Sequence, residues 1–132
     1  MTLYVDTSAI LKRYIDERDS DIAKSLMTTD PVLVTSRLTE IEVRRNLARL
    51  LDPDSAQQAK RDFSKDLDVF ALVGLDATTC NAAARIAEET LCRSLDSIHL
   101  AAAQRAGSAT LLTFDIRQAQ AARSIGLAVI GT

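Results

Sequence analysis

The sequence predicts an α/β fold, a parallel sheet covered by helices on both faces. Three observations predict it. Short, continuously apolar runs recur at residues 2–5, 32–35, 69–73, 110–113 and 127–130. Runs of that length without polar alternation suit strands buried on both faces. Helical patterns separate the runs, the alternation that joins parallel strands through crossover helices. The chain has 132 residues, 47% of them apolar and 26% charged, enough for one domain with a real core.

Each element has a local reason. Residues 2–5 read as a buried strand, and Thr7 to about Tyr14 as the helix that follows. A second helix runs from Asp19 to Met27 and is broken at Thr29-Asp30-Pro31, where proline removes a helical donor. After the strand Val32–Thr35, a helix from about Leu38 to Leu51 is ended by Asp52-Pro53. Asp54 or Ser55 caps a further helix to about Asp66, and Val69–Val73 is a shorter strand. Asp76 opens a long Ala-rich helix to about Leu91. The next helix starts at Ser94 or Leu95 and runs to Ala106, closed by Gly107. Thr110–Thr113 is a strand ending just before Asp115, Ile116–Ile125 is helical and stops at Gly126, and Leu127–Ile130 is the last strand. No repeat period and no Gly/Ser linker divides the chain, so residues 1–132 read as a single domain.

Composition excludes several classes. No basic region leads into an apolar stretch with a small-residue cleavage site, so no signal peptide is expected. No apolar run approaches the roughly 20 residues of a membrane span. Cys80 and Cys92 lie in helical patterns and form no CxxC pair, which suits reduced thiols and a cytoplasmic protein. The net charge of −2 argues against nucleic-acid binding by bulk charge, but distribution matters more than the sum. Twelve of the sixteen basic residues are arginine, the better bidentate phosphate binder. Arg37, Arg44, Arg45 and Arg49 share one segment, and Lys60, Arg61 and Lys65 the next. They form either solvated, ion-paired helix faces or the rim of an acidic site.

Four acids stand where such a site would be. In an open α/β fold, ligands bind at the carboxyl ends of the strands. Asp6 directly follows the first strand, and Asp115 follows the fourth after Phe114. Asp6 taken alone equally suits a helix N-cap. Glu42 falls in the second turn of the helix from Leu38, and Asp96 in the first turn of a later helix. With Leu38 at zero, Glu42 lies at about 40° on a polar wedge, and Glu40 at about 200° nearer the apolar stripe. Periodicity does not choose between them. Asp96, His99, Leu100 and Ala103 share one helix face, and a first-turn acid is also favoured by the helix dipole. His99 reads as a packed or hydrogen-bonded helix residue, with substrate contact as the second reading.

Carboxylates that converge raise one another's pKa and need cations between them. All-oxygen ligation suits Mg²⁺ or Mn²⁺ rather than zinc. An open hard-metal site polarises phosphoryl oxygens and activates water, which implies phosphodiester hydrolysis. The chain has one histidine, and neither Asp6 nor Asp115 has a nearby cysteine or serine–histidine partner, which argues against a covalent triad. A haloacid-dehalogenase-like phosphatase needs an acid at the place of Ser8. A receiver domain needs a late lysine, and the last one here is Lys65.

The blocks that carry these acids resemble those of PIN-domain ribonucleases. Leu3-Tyr4-Val5-Asp6-Thr7-Ser8-Ala9 resembles the family's opening, and Ser36-Arg37-Leu38-Thr39-Glu40-Ile41-Glu42-Val43-Arg44 its second acidic block. Leu95-Asp96-Ser97-Ile98-His99-Leu100-Ala101-Ala102-Ala103 resembles the third, and Leu112-Thr113-Phe114-Asp115 the fourth. Length and block order are similar to those of VapC-type toxins of toxin–antitoxin pairs. The resemblance implies a three-layer α/β/α sandwich with a central parallel sheet. It implies a Mg²⁺- or Mn²⁺-dependent endoribonuclease using Asp6, Glu42, Asp96 and Asp115 as catalytic, metal-binding acids. It selects Glu42 over Glu40, and assigns Ser8 and Thr113 as hydroxyls that support the acids. It further implies a homodimer, an RNA substrate and inhibition by a small antitoxin whose arginine pairs with the acids. Arg37, Arg45, Arg49 and Arg117 are the expected RNA-phosphate contacts. No acid follows Asp115, so one metal ion is expected rather than two. The alternative is a non-catalytic PIN module acting through protein partners.

Overall fold

A computed structural model describes residues 2–29, 32–108 and 110–132. The expected helix break at Asp30-Pro31 lies outside the described residues. The chain runs β1 (Thr2–Val5), α1 (Thr7–Leu11), α2 (Ser20–Thr29), β2 (Val32–Ser36), α3 (Arg37–Leu50) and α4 (Pro53–Asp66). It continues with β3 (Phe70–Val73), α5 (Ala77–Thr90), α6 (Ser94–Arg105), β4 (Thr110–Leu112), α7 (Ile116–Ser124) and β5 (Ala128–Ile130). The five strands form one sheet in the order β3-β2-β1-β4-β5, with every pairing parallel.

The twofold side-chain alternation of a strand divides the core into two layers. Leu3, Val5, Leu33 and Leu112 point to one face and pack with Ala9, Ile10, Met27, Val43, Leu47 and Phe63 from α1–α4. Tyr4, Val34 and Leu111 point to the other and pack with Ala83, Ile86, Leu100 and Ala122 from α5–α7. Continuously apolar strands are therefore needed, because both faces are covered. This is the expected three-layer α/β/α sandwich.

Several boundaries differ from the sequence reading. The first helix ends at Leu11 rather than Tyr14. From Lys12 onward three successive amides bond to the third residue back: Lys12 to Ala9, Arg13 to Ile10 and Tyr14 to Leu11. The Lys12 ammonium turns to Glu17 and the Arg18 carbonyl, holding that tightened turn. Asp52, not Asp54 or Ser55, caps α4: its carboxylate accepts from the Ser55 amide. Pro53 occupies the first helical turn, where its missing donor costs nothing. The third strand starts at Phe70, because Leu67–Val69 coil into a 3₁₀ turn. Cys92 lies in the connection between α5 and α6 rather than in a helix, and Cys80 is exposed on α5. Among the described residues, no helix is long and apolar enough to cross a membrane.

The topology places the site. From β1 the chain moves to β2 on one side, while β4 joins β1 on the other. The carboxyl ends of β1 and β4 flank the crevice where strand order reverses. Val5 and Leu112 are register partners, and the Asp6 amide donates to the Leu112 carbonyl at 3.2 Å. The next residues, Asp6 and Thr113, thus meet across the two strands. Beyond β5, Gly131 has φ +103°, and a Cβ there would lie 2.5 Å from the Thr113 carbonyl oxygen. Only glycine lets the chain pass so close to the residue that supports Asp6.

Candidate active site

Asp6 is both cap and site acid. Its Oδ1 accepts from the Ala9 amide at 3.0 Å, capping α1, and from the Ser8 hydroxyl at 2.7 Å. Its Oδ2 accepts from Thr113 Oγ1 at 2.5 Å. Thr113 Oγ1 also receives the Asp115 amide, and Ser8 Oγ receives the Phe114 amide. Each hydroxyl thereby ties the end of β1 to the turn after β4. Thr113 has one hydroxyl hydrogen, and Asp6 takes it. The buried Gln118 carboxamide, 3.1 Å away, therefore meets Thr113 best with its NH₂ end. Burial pushes the Asp6 carboxyl above its ordinary pKa, although His99, Thr113, Ser8 and the Ala9 amide all act to lower it.

Glu42 reaches the same cleft from α3. Its Oε1 accepts from Thr7 Oγ1 at 2.7 Å and faces His99 Nε2 at 2.7 Å. The other His99 nitrogen, Nδ1, is 2.8 Å from the hydroxyl of fully buried Tyr4. Burial raises the Glu42 carboxyl, but the His99 hydrogen bond and charge, with Thr7 and Arg93, outweigh it and hold the group below its ordinary pKa. Glu40 stays outside, paired with Arg37 at 2.8 Å. The geometry thus separates two acids that periodicity left equivalent.

Asp96 and Asp115 are joined by a residue that sequence reasoning missed. Arg93 Nε donates to Asp96 Oδ2 at 2.7 Å, and its Nη2 to Asp96 Oδ1 at 3.3 Å and Asp115 Oδ2 at 2.8 Å. Asp115 caps α7 through its other oxygen, which accepts from the Gln118 amide. Partial burial raises the Asp115 carboxyl, but the Gln118 amide and the Arg93 guanidinium bring it below the ordinary range. The signal for Arg93 was its i, i+3 spacing to Asp96. Its second partner, Asp115, is 22 residues away.

Asp6, Ser8, Glu42, Asp96 and Asp115 all line one cleft of about 210 Å³, together with Asn46 and His99. Among the described residues, no three His, Cys, Asp or Glu side chains lie close enough to ligate one ion. Thr113 sits beneath the cleft, fully buried. A larger hollow of about 610 Å³ between α3 and α4 is walled by Arg44, Arg45, Leu51, Pro53 and Lys60. It contains no acid, so chemistry rather than size identifies the site. Arg45 belongs to that hollow. Arg49 is tethered to Asn46 Oδ1 at 2.9 Å, and the Asn46 amide donates to the Glu42 carbonyl. Arg117 is exposed in the first turn of α7. Arg37 is taken up by Glu40.

A family model for the PIN domain matches residues 3–124. The chain is 38% identical over 131 residues to ribonuclease VapC46 of Mycobacterium tuberculosis, covering 97% of this chain and 95% of that one. The chain belongs to the PIN-domain family, among the VapC ribonucleases. Two solved structures are similar in fold. FitAcB from Neisseria gonorrhoeae has a TM-score of 0.78 at 19% identity, covering 98% of this chain and 96% of that one. A toxin–antitoxin complex from Klebsiella pneumoniae has a TM-score of 0.70 at 18% identity, covering 90% of each chain. All four cleft acids of this PIN domain fall inside the family match. So do Ser8, Thr113 and the bridging Arg93.

Proposed function

We propose that this PIN domain is an endoribonuclease that hydrolyses RNA phosphodiester bonds with Mg²⁺ or Mn²⁺, acting as the toxin of a toxin–antitoxin pair. One observation carries the reading. Four acids from β1, α3, α6 and the turn after β4 line a single cleft at the switch point of the sheet. The donor set fits a hard cation. It offers carboxylate oxygens, and Asp96 and Asp115 already share a cationic group, the Arg93 guanidinium. Asp96 and Asp115, already joined through Arg93, would hold the ion, and Asp6 and Glu42 would reach it only by leaving the positions they take here. When bound, it supplies a polarised phosphoryl oxygen and an activated water.

The chain's own residues hold those acids in place. Ser8 and Thr113 fix the two oxygens of Asp6. Thr7 and His99 both engage Oε1 of Glu42, which leaves Oε2 without a partner among the described residues. Arg49, tethered to the cleft residue Asn46, exposed Arg117 and Arg45 in the neighbouring hollow are assigned as contacts for RNA phosphates, a backbone-tracking role that needs no base recognition. Arg37 joins them only by leaving Glu40. The Klebsiella pneumoniae toxin–antitoxin complex supports an antitoxin partner, whose arginine would meet the acids that Arg93 meets here, and the resemblance to VapC-type toxins suggests a homodimer.

The test is cleavage of structured RNA with Mn²⁺ or Mg²⁺ by the wild type and Asp6→Asn. Cleavage by the wild type alone, abolished by chelation, is expected. Equal behaviour of the two proteins, or cleavage that survives chelation, would sink the reading and leave a non-catalytic binding module.

A further inference from the structure

Arg93 precedes α6, and its side chain makes no capping bond to that helix. Its contacts are with carboxylates: both oxygens of Asp96 and one of Asp115. The arginine side chain is 53% exposed, whereas that of Asp96 is 10% exposed. The guanidinium thus reaches into the acidic cleft from solvent and can leave it without opening the core.

A divalent ion on Asp96 and Asp115 needs the same oxygens, at about 2.0–2.1 Å for Mg²⁺. A guanidinium lying across the two carboxylates fills the space the ion would take, and two positive charges in contact repel. Loading the ion therefore expels the guanidinium from the bridge. The expelled group remains on its backbone at the mouth of the cleft. Its planar fork matches two oxygens of a phosphodiester, the anion that would enter there.

We infer that Arg93 is a resident counter-cation: a divalent ion displaces it from the Asp96–Asp115 bridge, and the freed guanidinium then positions the RNA phosphate. The inference rests on the metal-dependent nuclease reading above. It gives one residue two opposite effects. Arg93 opposes metal binding in the free protein and supports substrate binding in the loaded one.

Arg93→Ala separates them, and it removes neither a cap nor a buried side chain. Mn²⁺ binding to RNA-free protein is read by electron paramagnetic resonance of the free ion, alongside the RNA KM at saturating Mn²⁺. The variant is expected to bind Mn²⁺ roughly 3–10-fold more tightly, the scale of one shared charge-assisted pair. Its KM for structured RNA is expected to rise about tenfold, with a smaller change in kcat, as loss of a phosphate contact predicts. Unchanged Mn²⁺ affinity, or unchanged KM, overturns the inference while the nuclease reading stands. If neither protein binds Mn²⁺, the metal-dependent reading fails and this inference with it.

Discussion

His99 Nε2 lies 2.7 Å from Glu42 Oε1, the same oxygen that receives Thr7 Oγ1. The ring is itself fixed from behind, because Nδ1 faces the Tyr4 hydroxyl at 2.8 Å and Tyr4 is fully buried. A histidine with a partner on each nitrogen has its orientation set by the second partner. Tyr4, His99 and Thr7 together hold one carboxylate oxygen and leave the other for the cleft.

His99→Ala should therefore loosen Glu42. The expected result is a loss of roughly 10–100-fold in kcat at saturating metal, the usual scale for removing a group that orients a ligand. Tyr4→Phe keeps the ring and removes only the hydroxyl, and should lose less. Steady-state kinetics of both variants check the order. Equal activity of His99→Ala and wild type would show that Glu42 needs no such support.

Asp6→Asn should be inactive and more stable. In metal-free protein the Asp6 charge is buried, and its carboxyl is pushed upward by that burial. The native state then holds a proton that the unfolded chain has released above about pH 3.9. Stability consequently falls as pH rises from that value through the raised native one. Asparagine keeps the Oδ1 acceptor for Ala9 and Ser8 and turns its NH₂ to Thr113. The Thr113 hydroxyl is then free to donate to Gln118 Oε1, once that carboxamide turns over from the orientation it takes beside the Asp6 carboxylate. In chelator at pH 7 the melting temperature should rise by roughly 2–6 °C, about what 1 kcal/mol gives at this size. A drop in melting temperature would show that the ionised carboxylate is a net stabiliser.

Much of this arrangement was legible in the sequence. Asp6 and Asp115 could be found because continuously apolar runs announce buried parallel strands, and acids at their ends announce a crevice. Whether Asp6 was a cap or a site acid could not be settled, and the structure shows why: different hydrogen bonds to one carboxylate serve both. Glu42 was separated from Glu40 by resemblance, whereas physically it is the distant His99, 57 residues on, that separates them. Arg93 was missed because its role depends on Asp115 arriving from another strand. The early end of α1 was missed because Lys12 prefers Glu17 and the Arg18 carbonyl, a choice that helical periodicity cannot express.

Asp52→Ala offers a control away from the cleft. The Asp52 carboxylate accepts from both the amide and the hydroxyl of Ser55, which hold it below its ordinary pKa. Such a lowered carboxyl stabilises the fold above its unfolded pKa, and that contribution disappears as pH falls through the native value. The variant should melt a few degrees lower at pH 7, with the difference fading in acid, and kcat should not change. A change in kcat without a change in melting would place α4 in the catalytic machinery instead.

Arg45 and Arg49 should act through RNA phosphates alone. Arg49 is oriented by Asn46 beside the cleft. Arg45, on the same helix, faces the hollow that also holds Arg44 and Lys60. Neither touches a cleft acid among the described residues, so their loss should leave metal binding intact. Replacing either with alanine removes one phosphate contact. The slope of log affinity against log salt should then fall by about 0.7–0.9. Binding should weaken alike for RNAs of different sequence, because backbone contacts carry no sequence information. The measurement is RNA binding by Asp6→Asn protein, with and without the arginine change, across a salt series. An unchanged slope would remove these arginines from the RNA path, and a sequence-dependent loss would make them readers of bases.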